Sequence, residues 1–469
     1  MKRSSIVTLA TGGAAVVVAA FALVALPARS QAPAPDAAMT PPSVATVPPM
    51  PDPFAMKGIF QVRDYGATGN GQSDDTEAIQ RAIDAAERVH GVVGLNPPSG
   101  GGDGRYLVTH PLVINTGVAV EGLSRNTTIL VRRLDFDVFS IVGGPNVEIS
   151  HFRIVGDKDA PGVGGNGFHI QHSQAVFISN VTMNGLWSGT LNESSGNVRL
   201  FQVAFAAADR APDPSHPRFG LKATASLERG NSNLTSCTQC GVTDFGPAYP
   251  RTVDGFVLAN GYNSLTLTSS GALQANRTVW VTADGGRPPN FLVLNDVTSD
   301  HSNVGIELDE GSAANIFSTL VTSAPGPAIH IARTYAGGPV TIANSHIIAT
   351  AQGIDIEGGR TVTISGGEIA TVGRGDGIRV GSNGQVTISG VGISAVRQGA
   401  GLHVLPQHAG GWLTVSGISV NKSAYGVVVD PGTSGGYTIT GNSFTENSGA
   451  NVRDGGSNPR KIIQSNSSS

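Results

Sequence analysis

The chain has 469 residues, of which 39% are hydrophobic, 14% are charged and 63 are glycine. The low charge excludes a coiled coil, and the apolar share excludes a wholly disordered chain. With 30 Lys and Arg against 34 Asp and Glu, the chain lacks the basic excess typical of nucleic-acid binding, so we expect no nucleic-acid partner.

The amino terminus is typical of an export signal. Lys2 and Arg3 precede an apolar run from Ala14 to Leu26, and small residues follow up to Ala32. The apolar run is too short to span a bilayer. We therefore predict a signal peptide over residues 1–32, a secreted or periplasmic product, and no stable membrane span after cleavage.

A linker and one helix come next. Residues 33–56 are rich in proline, which removes backbone donors and favours an extended segment, so we predict a linker. Apolar residues then recur at helical spacing and predict a helix over about 75–89: Ile79, Ala82, Ile83, Ala86 and Val89. Asp74 and Asp75 stand at the start of this helix, where capping explains them better than catalysis. After Gly91 the pattern changes to short β runs separated by turn residues.

An internal repeat organises the second half of the chain. Similar blocks begin at Gly305, Ala328, Gly353, Gly377, Gly401 and Gly426, with starts 23 to 25 residues apart. This period fits three short strands and three turns per coil, as in a parallel β-solenoid, in which equivalent residues stack at roughly 4.8 Å. The pattern predicts an inward column of Ile306, Ile329, Ile354, Ile378 and Leu402. It also predicts an outward threonine ladder of Thr341, Thr363, Thr387, Thr414 and Thr438.

Residues 59–131 carry a motif that resembles a known family. The segment that begins Ile59-Phe-Gln-Val-Arg-Asp-Tyr-Gly-Ala and continues through Asp74-Asp75-Thr-Glu-Ala-Ile-Gln is similar to the opening motif of the pectate-lyase-like superfamily, of the rhamnogalacturonase and epimerase type. The resemblance implies an all-β fold, a single right-handed parallel β-helix over 57–455 with an amino-terminal capping α-helix. It also implies polysaccharide lyases, glycosidases, epimerases or phage tailspikes as relatives. Residues 456–469 are expected to form a disordered tail.

The repeat register also nominates a functional surface. The third position of successive blocks places Glu307, His330, Asp355, Arg379 and His403 in one outward column. Neighbouring positions add Asp309, Glu357 and Arg333. We expect the catalytic candidates to be Glu307, Asp309, His330, Arg333, Asp355 and Glu357, with Arg379 and His403 as substrate contacts. The alternative is a row of salt bridges that only keeps the surface soluble.

Two chemistries on a polysaccharide are open to such a column. A pair of carboxyl groups can hydrolyse a glycosidic bond. In β-elimination from a uronate, a base removes a proton while a cation neutralises the sugar carboxylate, and Ca²⁺ held by Asp309, Asp355 or Glu357 is the candidate cofactor. We predict an exported enzyme that cleaves an acidic glycan by one of these routes. A non-catalytic glycan-binding or structural surface protein and a uronate epimerase remain as alternatives.

The remaining motifs exclude other classes of site. No glycine-rich stretch has the strand, lysine and helix of a phosphate loop, so we expect no nucleotide. Cys237 and Cys240 are the two cysteines, too few for a structural zinc site. A local disulfide and two inert thiols both stay open for them. His169 and His172 lie where the column offers no carboxylate, so we expect either satisfied or solvated histidines there.

Overall fold

The computed structural model describes residues 58–96, 104–123, 126–157, 159–225, 234–244, 246–349, 351–371, 373 and 375–468. The predicted signal peptide and the whole of the predicted linker, residues 33–56, lie outside these ranges. Within them the chain is all-β except for the α-helix Thr76–Glu87 and the 3-10 helix Val62–Tyr65. None of the described helices is long and apolar enough to cross a membrane.

The strands form a parallel solenoid with three long sheets, which we name A, B and C. In the described part of the chain, fourteen successive coils each contribute one strand to each sheet, and sheets A and B have one further strand at either end, so neighbouring strands in a sheet come from successive coils. Sheet A consists of Ile59–Gln61, Val92–Leu95, Ala119–Gly122, Pro145–Ser150, Gln174–Ser179, Gly196–Phe201, Leu234–Thr238, Ser264–Thr268, Phe291–Asn295, Ala313–Phe317, Pro339–Ala343, Thr361–Ser365, Gln385–Ser389, Trp412–Ser416, Gly436–Thr440 and Ile462–Gln464.

Sheets B and C complete each coil. Sheet B consists of Asn70–Asp74, Arg105–Val108, Thr128–Val131, Arg153–Gly156, Thr182–Leu186, Ala204–Ala207, Gly241–Thr243, Gly271–Leu273, Thr298–Asp300, Leu320–Ala324, His346–Ala349, Glu368–Thr371, Gly392–Ser394, Ser419–Asn421, Ser443–Thr445 and Ser467–Ser468. Sheet C consists of Leu112–Ile114, Phe139–Val142, Asn166–Gln171, Ser188–Glu193, Arg218–Thr224, Val253–Ala259, Arg277–Thr282, Val304–Leu308, Pro327–Ile331, Gln352–Ile356, Ile378–Val380, Ala400–Val404, Tyr425–Val429 and Val452–Asp454.

The inward and outward columns predicted from the repeat are confirmed. Ile306, Ile329, Ile354, Ile378 and Leu402 are paired in register and almost fully buried. The five threonines of the ladder are likewise paired in sheet A. The apolar columns merge into one continuous core along the solenoid, which is how a chain of short strands gains enough buried surface to fold.

The recurring glycines have a steric cause. A Cβ atom on Gly353 would lie 2.2 Å from the Gly377 carbonyl oxygen, and one on Gly377 would lie 2.6 Å from the Gly401 carbonyl oxygen. Backbone atoms of the next coil therefore leave no room for a side chain at these two positions. This contact explains why glycine opens most of the repeated blocks.

The helix Thr76–Glu87 lies close to the predicted range and packs through Ile79, Ala82 and Ile83, none of which is exposed. Its capping differs from the expectation. Asp75 stands at the N-cap, yet its carboxylate accepts hydrogen bonds from Thr68 and Gly69 rather than from the helix. The Asp74 carboxylate instead accepts the Thr76 backbone N–H at 3.0 Å. The Asp75 carboxylate thus holds the segment before the helix, and the Asp74 carboxylate caps its first turn.

The carboxyl-terminal segment and the two cysteines add to what the sequence predicted. The segment expected to be a disordered tail, 456–469, contains strands Ile462–Gln464 and Ser467–Ser468, which pair with sheets A and B. The sequence reading missed them because Ile462 is 43% exposed and the apolar signal is short. Cys237 and Cys240 form a disulfide, which resolves the alternative left open by their spacing.

Candidate active site

One column of side chains on the outer side of sheet C carries most of the predicted site residues. Register pairs Glu307 with His330, His330 with Asp355, Asp355 with Arg379, and Arg379 with His403. The repeat spacing therefore predicted this row correctly. The contacts within the row decide what each residue can do, and several of them could not be read from spacing.

Glu307 and His330 form a close pair at the start of the column. His330 Nδ1 lies 2.6 Å from Glu307 Oε1, and only 12% of the Glu307 side chain is exposed. Trp280 precedes Glu307 in the same column and donates its Nε1 hydrogen to Asp309 at 2.7 Å. The sequence reading missed Trp280 because its strand, Arg277–Thr282, lacks the glycine that opens most repeated blocks.

These contacts shift the protonation of the pair. Burial raises the pKa of Glu307 and the contact with Asp309 adds to this, whereas the bond to His330 acts in the opposite direction. The hydrogen bond to Glu307 raises the pKa of His330, although burial opposes it. His330 therefore keeps its proton to a higher pH than an ordinary histidine. Above that pH a neutral ring bound through Nδ1 presents Nε2 as its basic atom.

Asp355 has a different environment from the expected one. It lies on the outer side of sheet C, but only 2% of the residue is exposed. Arg379 covers it, donating hydrogen bonds from Nε at 2.9 Å and from Nη2 to the two carboxylate oxygens. Arg379 Nη2 also lies 3.7 Å from Glu357. This bidentate arrangement binds the Asp355 carboxylate firmly and fixes Arg379, so Asp355 acts through Arg379 rather than as a solvent-facing acid.

The residues present do not fit a calcium ion. His330, Asp355 and Glu357 place potential ligand atoms within 4.8 Å of one another. Calcium takes roughly 6–8 oxygen ligands, whereas this group offers one imidazole and two carboxylates. The Arg379 guanidinium already contacts both carboxylates and would compete with the ion. Asp309, the other predicted ligand, is bound by Trp280.

An open groove of about 290 Å³ borders the column. It lies over three turns that lead from sheet C to sheet A, residues 332–338, 357–360 and 381–384. Its lining includes Arg333, Glu357, Arg360 and Asn383. Arg333 was predicted as a site residue, and the structure places it in this groove rather than in the row. Sequence reasoning missed Arg360 and Asn383 because both lie in turns, outside the repeated blocks.

His403 lies between two carboxylates at the far end of the column. Its Nδ1 is 2.9 Å from Asp376 and its Nε2 is 3.1 Å from Asp430. The second contact is electrostatic, because Nε2 makes no directed hydrogen bond in the described part of the chain. The bond to Asp376 raises the pKa of His403, against the effect of burial. Two carboxylates of the protein thus hold the His403 ring, which was predicted from the sequence only as a substrate contact.

His169 repeats this arrangement near the other end of sheet C, where it is a satisfied rather than a solvated histidine. Its Nδ1 lies 2.7 Å from Asp137 and its Nε2 3.2 Å from Glu193. Burial lowers the pKa of His169, but the two carboxylates outweigh it and raise the pKa overall. Asp137 lies two residues before Phe139, the first inward side chain of its strand. Asp376 lies at the same offset before Ile378. An aspartate at this offset is the sequence signal that could have predicted both carboxylate partners.

Comparisons with known proteins give a family match and a fold match. Residues 59–260 match the family model described as rhamnogalacturonase A/epimerase, pectate lyase-like. Among curated proteins, alginate lyase 7 of Azotobacter vinelandii is 32% identical over 112 residues. That alignment covers 22% of this chain and only 12% of the lyase.

Solved structures show the same solenoid architecture. The A-module of the mannuronan C-5 epimerase AlgE4 from Azotobacter vinelandii superposes with a TM-score of 0.52 at 15% identity, covering 87% of this chain and 100% of that module. The amino-terminal fragment of bacteriophage phi29 gene product 12 gives a TM-score of 0.59 at 16% identity, covering 87% of this chain and 71% of the fragment. At these identities the likeness concerns the fold alone.

Proposed function

We propose that this chain, which belongs to the pectate-lyase-like superfamily, is an exported enzyme that cleaves a uronate-containing polysaccharide by β-elimination on the outer side of sheet C. The observation that carries the proposal is the partly buried Glu307–His330 pair beside the arginine-lined groove. The sequence likeness to an alginate lyase supports a uronate as substrate. The superfamily also implies that the solenoid is right-handed and that Thr76–Glu87 closes its amino-terminal end.

The reaction needs a base, and His330 has the environment of one. In its neutral form His330 takes the proton from the sugar carbon that bears the carboxylate. The electron pair of that C–H bond becomes a C=C double bond, and the bond to the leaving oxygen breaks. The proton held by His330 is then available to the leaving oxygen. Glu307 orients the ring through Nδ1 and stabilises its protonated form.

The negative charge that develops on the sugar carboxylate must also be offset. Arg333 lies exposed in the groove and can meet such a carboxylate with two N–H donors. Arg379 is fixed by Asp355 and Glu357, with about a third of its side chain exposed, 34%. We assign Arg333 the role of charge neutraliser and Arg379 that of a second contact at the edge of the row.

Hydrolysis by the two nearest carboxyl groups fits less well. Glycosidases keep their carboxyl groups about 5 Å or more apart, so that a sugar or a water fits between them. Burial and, after it, the neighbouring Asp309 raise the pKa of Glu307. The two groups thus influence each other's protonation instead of acting as a separated acid and nucleophile or base.

The test is to incubate the protein with alginate, pectate and a neutral glucan while recording ultraviolet absorbance and reducing ends. We expect both signals to rise together on a uronate polymer, because elimination creates a double bond conjugated with the carboxylate. His330→Gln should abolish the rise. The matched control is His346→Gln, which removes an exposed histidine 3.5 Å from Glu368 on sheet B.

Other outcomes assign the chain to the alternatives. Reducing ends without absorbance would indicate a hydrolase, and a change in uronate composition without shortening would indicate an epimerase. Binding with no product on any polymer would support a glycan-binding surface protein. Full turnover in His330→Gln would show that His330 is not the base.

A further inference from the structure

The groove beside sheet C has two cationic groups that the protein itself does not neutralise. Arg333 and Arg360 both line it and both are exposed. Neither makes an ion pair or a side-chain hydrogen bond within the described ranges. Arg379 and Arg277, in contrast, are each bound to an aspartate through two nitrogens. The groove therefore holds positive charge that is available to a ligand.

The floor of the groove is built from backbone and is fixed in place. A Cβ atom on Gly358 would lie 2.0 Å from the Ala332 carbonyl oxygen, and one on Gly384 would lie 2.1 Å from that of Gly359. Ser382, only 1% exposed, donates from Oγ to the Gly359 carbonyl and accepts the Gly384 N–H, each at 3.0 Å. These contacts hold the three turns at one depth, and larger residues at the floor would fill the space.

The groove is continuous with the charged column. Glu357 lines the groove and also lies 3.7 Å from Arg379, which pairs with Asp355 in the column. Glu357 is the acidic side chain of the lining, and it shares the single positive charge of Arg379 with Asp355. A ligand that occupies the groove therefore reaches the column at Glu357.

We propose that this groove is a subsite for a carboxylate-bearing sugar of the glycan, held by Arg333 and Arg360 and lined by Asn383. The polymer then extends from the sheet C column into the groove over these three turns. Guanidinium groups match a carboxylate through paired hydrogen bonds, which makes an anionic sugar the preferred occupant. The inference rests on the proposed action on a uronate polymer.

The test uses a hexasaccharide of mannuronate and the same oligosaccharide with its carboxylates reduced to alcohols. Binding is measured by calorimetry in the His330→Gln background, so that no turnover occurs. We expect Arg360→Gln to weaken binding of the charged oligosaccharide roughly tenfold or more and to remove the preference over the reduced one. Arg397→Gln is the matched control, because Arg397 is an exposed arginine on the turn that leads into sheet C, away from the groove.

The outcomes separate this inference from the proposed function. Unchanged binding in Arg360→Gln, or equal loss in Arg397→Gln, would overturn the subsite and leave the elimination chemistry standing. Weaker binding in Arg360→Gln together with full turnover in the single variant His330→Gln would support the subsite and overturn the assigned chemistry. Failure of the parent to prefer the charged oligosaccharide would overturn the subsite as well.

Discussion

At the residue scale, the site is controlled by contacts between side chains on neighbouring coils. The position of Glu307 above His330 follows from the repeat, but their hydrogen bond and burial do not. Burial and the neighbour Asp309 raise the pKa of Glu307, while Glu307 raises the pKa of His330. The pair therefore holds a proton over a wider pH range than two isolated groups would.

This coupling predicts a pH profile. In the wild type, turnover should rise with pH through an inflection above about 6.5, the ordinary histidine value, because His330 must lose its proton to act as a base. Glu307→Gln removes the carboxylate that raises the His330 pKa, so the inflection should move to lower pH and the maximal rate should fall. The profile is measured from initial rates of absorbance change. The control is Glu368→Gln, which removes the partner of the exposed His346 and should leave the inflection at its wild-type pH. An unmoved inflection in Glu307→Gln would contradict the role assigned to the Glu307–His330 pair.

The arginine in the column predicts independence from calcium. Arg379 occupies both oxygens of Asp355 and approaches Glu357, so a calcium ion would have to displace a bound guanidinium. We expect turnover after extensive treatment with a chelator to equal turnover with added calcium, measured on the same polymer. Loss of activity that calcium restores would show that Arg379 moves away from these carboxylates.

At the element scale, turns decide where a ligand can approach. The turns 357–360 and 381–384 are short and have a glycine floor, and the groove forms there. The strands on either side follow the repeat, whereas the turns vary in length and composition. This is why the repeat predicted the column and not the groove.

Gly358 provides a test of the turn geometry. Gly358→Ala should destabilise the protein by about 1–3 kcal/mol, because the new methyl group would meet the Ala332 carbonyl and force the backbone to shift. Gly410→Ala is the control, since a Cβ atom there meets nothing within 4 Å. Thermal unfolding of the two variants gives the comparison. An unchanged midpoint for Gly358→Ala would mean that the turn tolerates a side chain.

At the scale of the whole molecule, the repeat made most of the fold predictable. Ile306 and its stacked neighbours occur once per coil, and a period near 24 residues admits few architectures. The site was less predictable, because Trp280 and Asp137 contact neighbours that the repeat does not mark, and Arg360 lies in a turn. The strand Ile462–Gln464 was missed for a similar reason, since its apolar signal is short and partly exposed.

Histidine and carboxylate clusters along sheet C predict the pH dependence of stability. Carboxylate partners raise the pKa of His169 and His403 despite burial, so their stabilisation is complete below about 6.5 and is lost as pH rises through the raised values. Burial raises the pKa of Asp137 and Glu193, but hydrogen bonds outweigh it and lower both values: the bond with His169 for Asp137, and the bonds with Gln171 and His169 for Glu193. Their stabilisation is present above about pH 4 and is lost as pH falls through the lowered values.

The urea midpoint should therefore be highest between about pH 4.5 and 6.5 and should fall above this window. His403→Gln should make the alkaline decline shallower, because it removes one of the titrating groups. His301→Gln, which removes a half-exposed histidine beside Asp300, serves for comparison. A midpoint that rises from pH 6 to 8 would contradict the assigned shifts.

The parallel register of the coils has an evolutionary consequence. His330 lies one coil after Glu307 in direct register, so one coil is a unit that can be copied or deleted without disturbing the pairing of the others. Duplication of a single coil would insert one residue into the column and lengthen the surface by roughly 4.8 Å. Descendants of such a gene could adjust to polymers with a different sugar repeat through a single genetic event, with the core left intact.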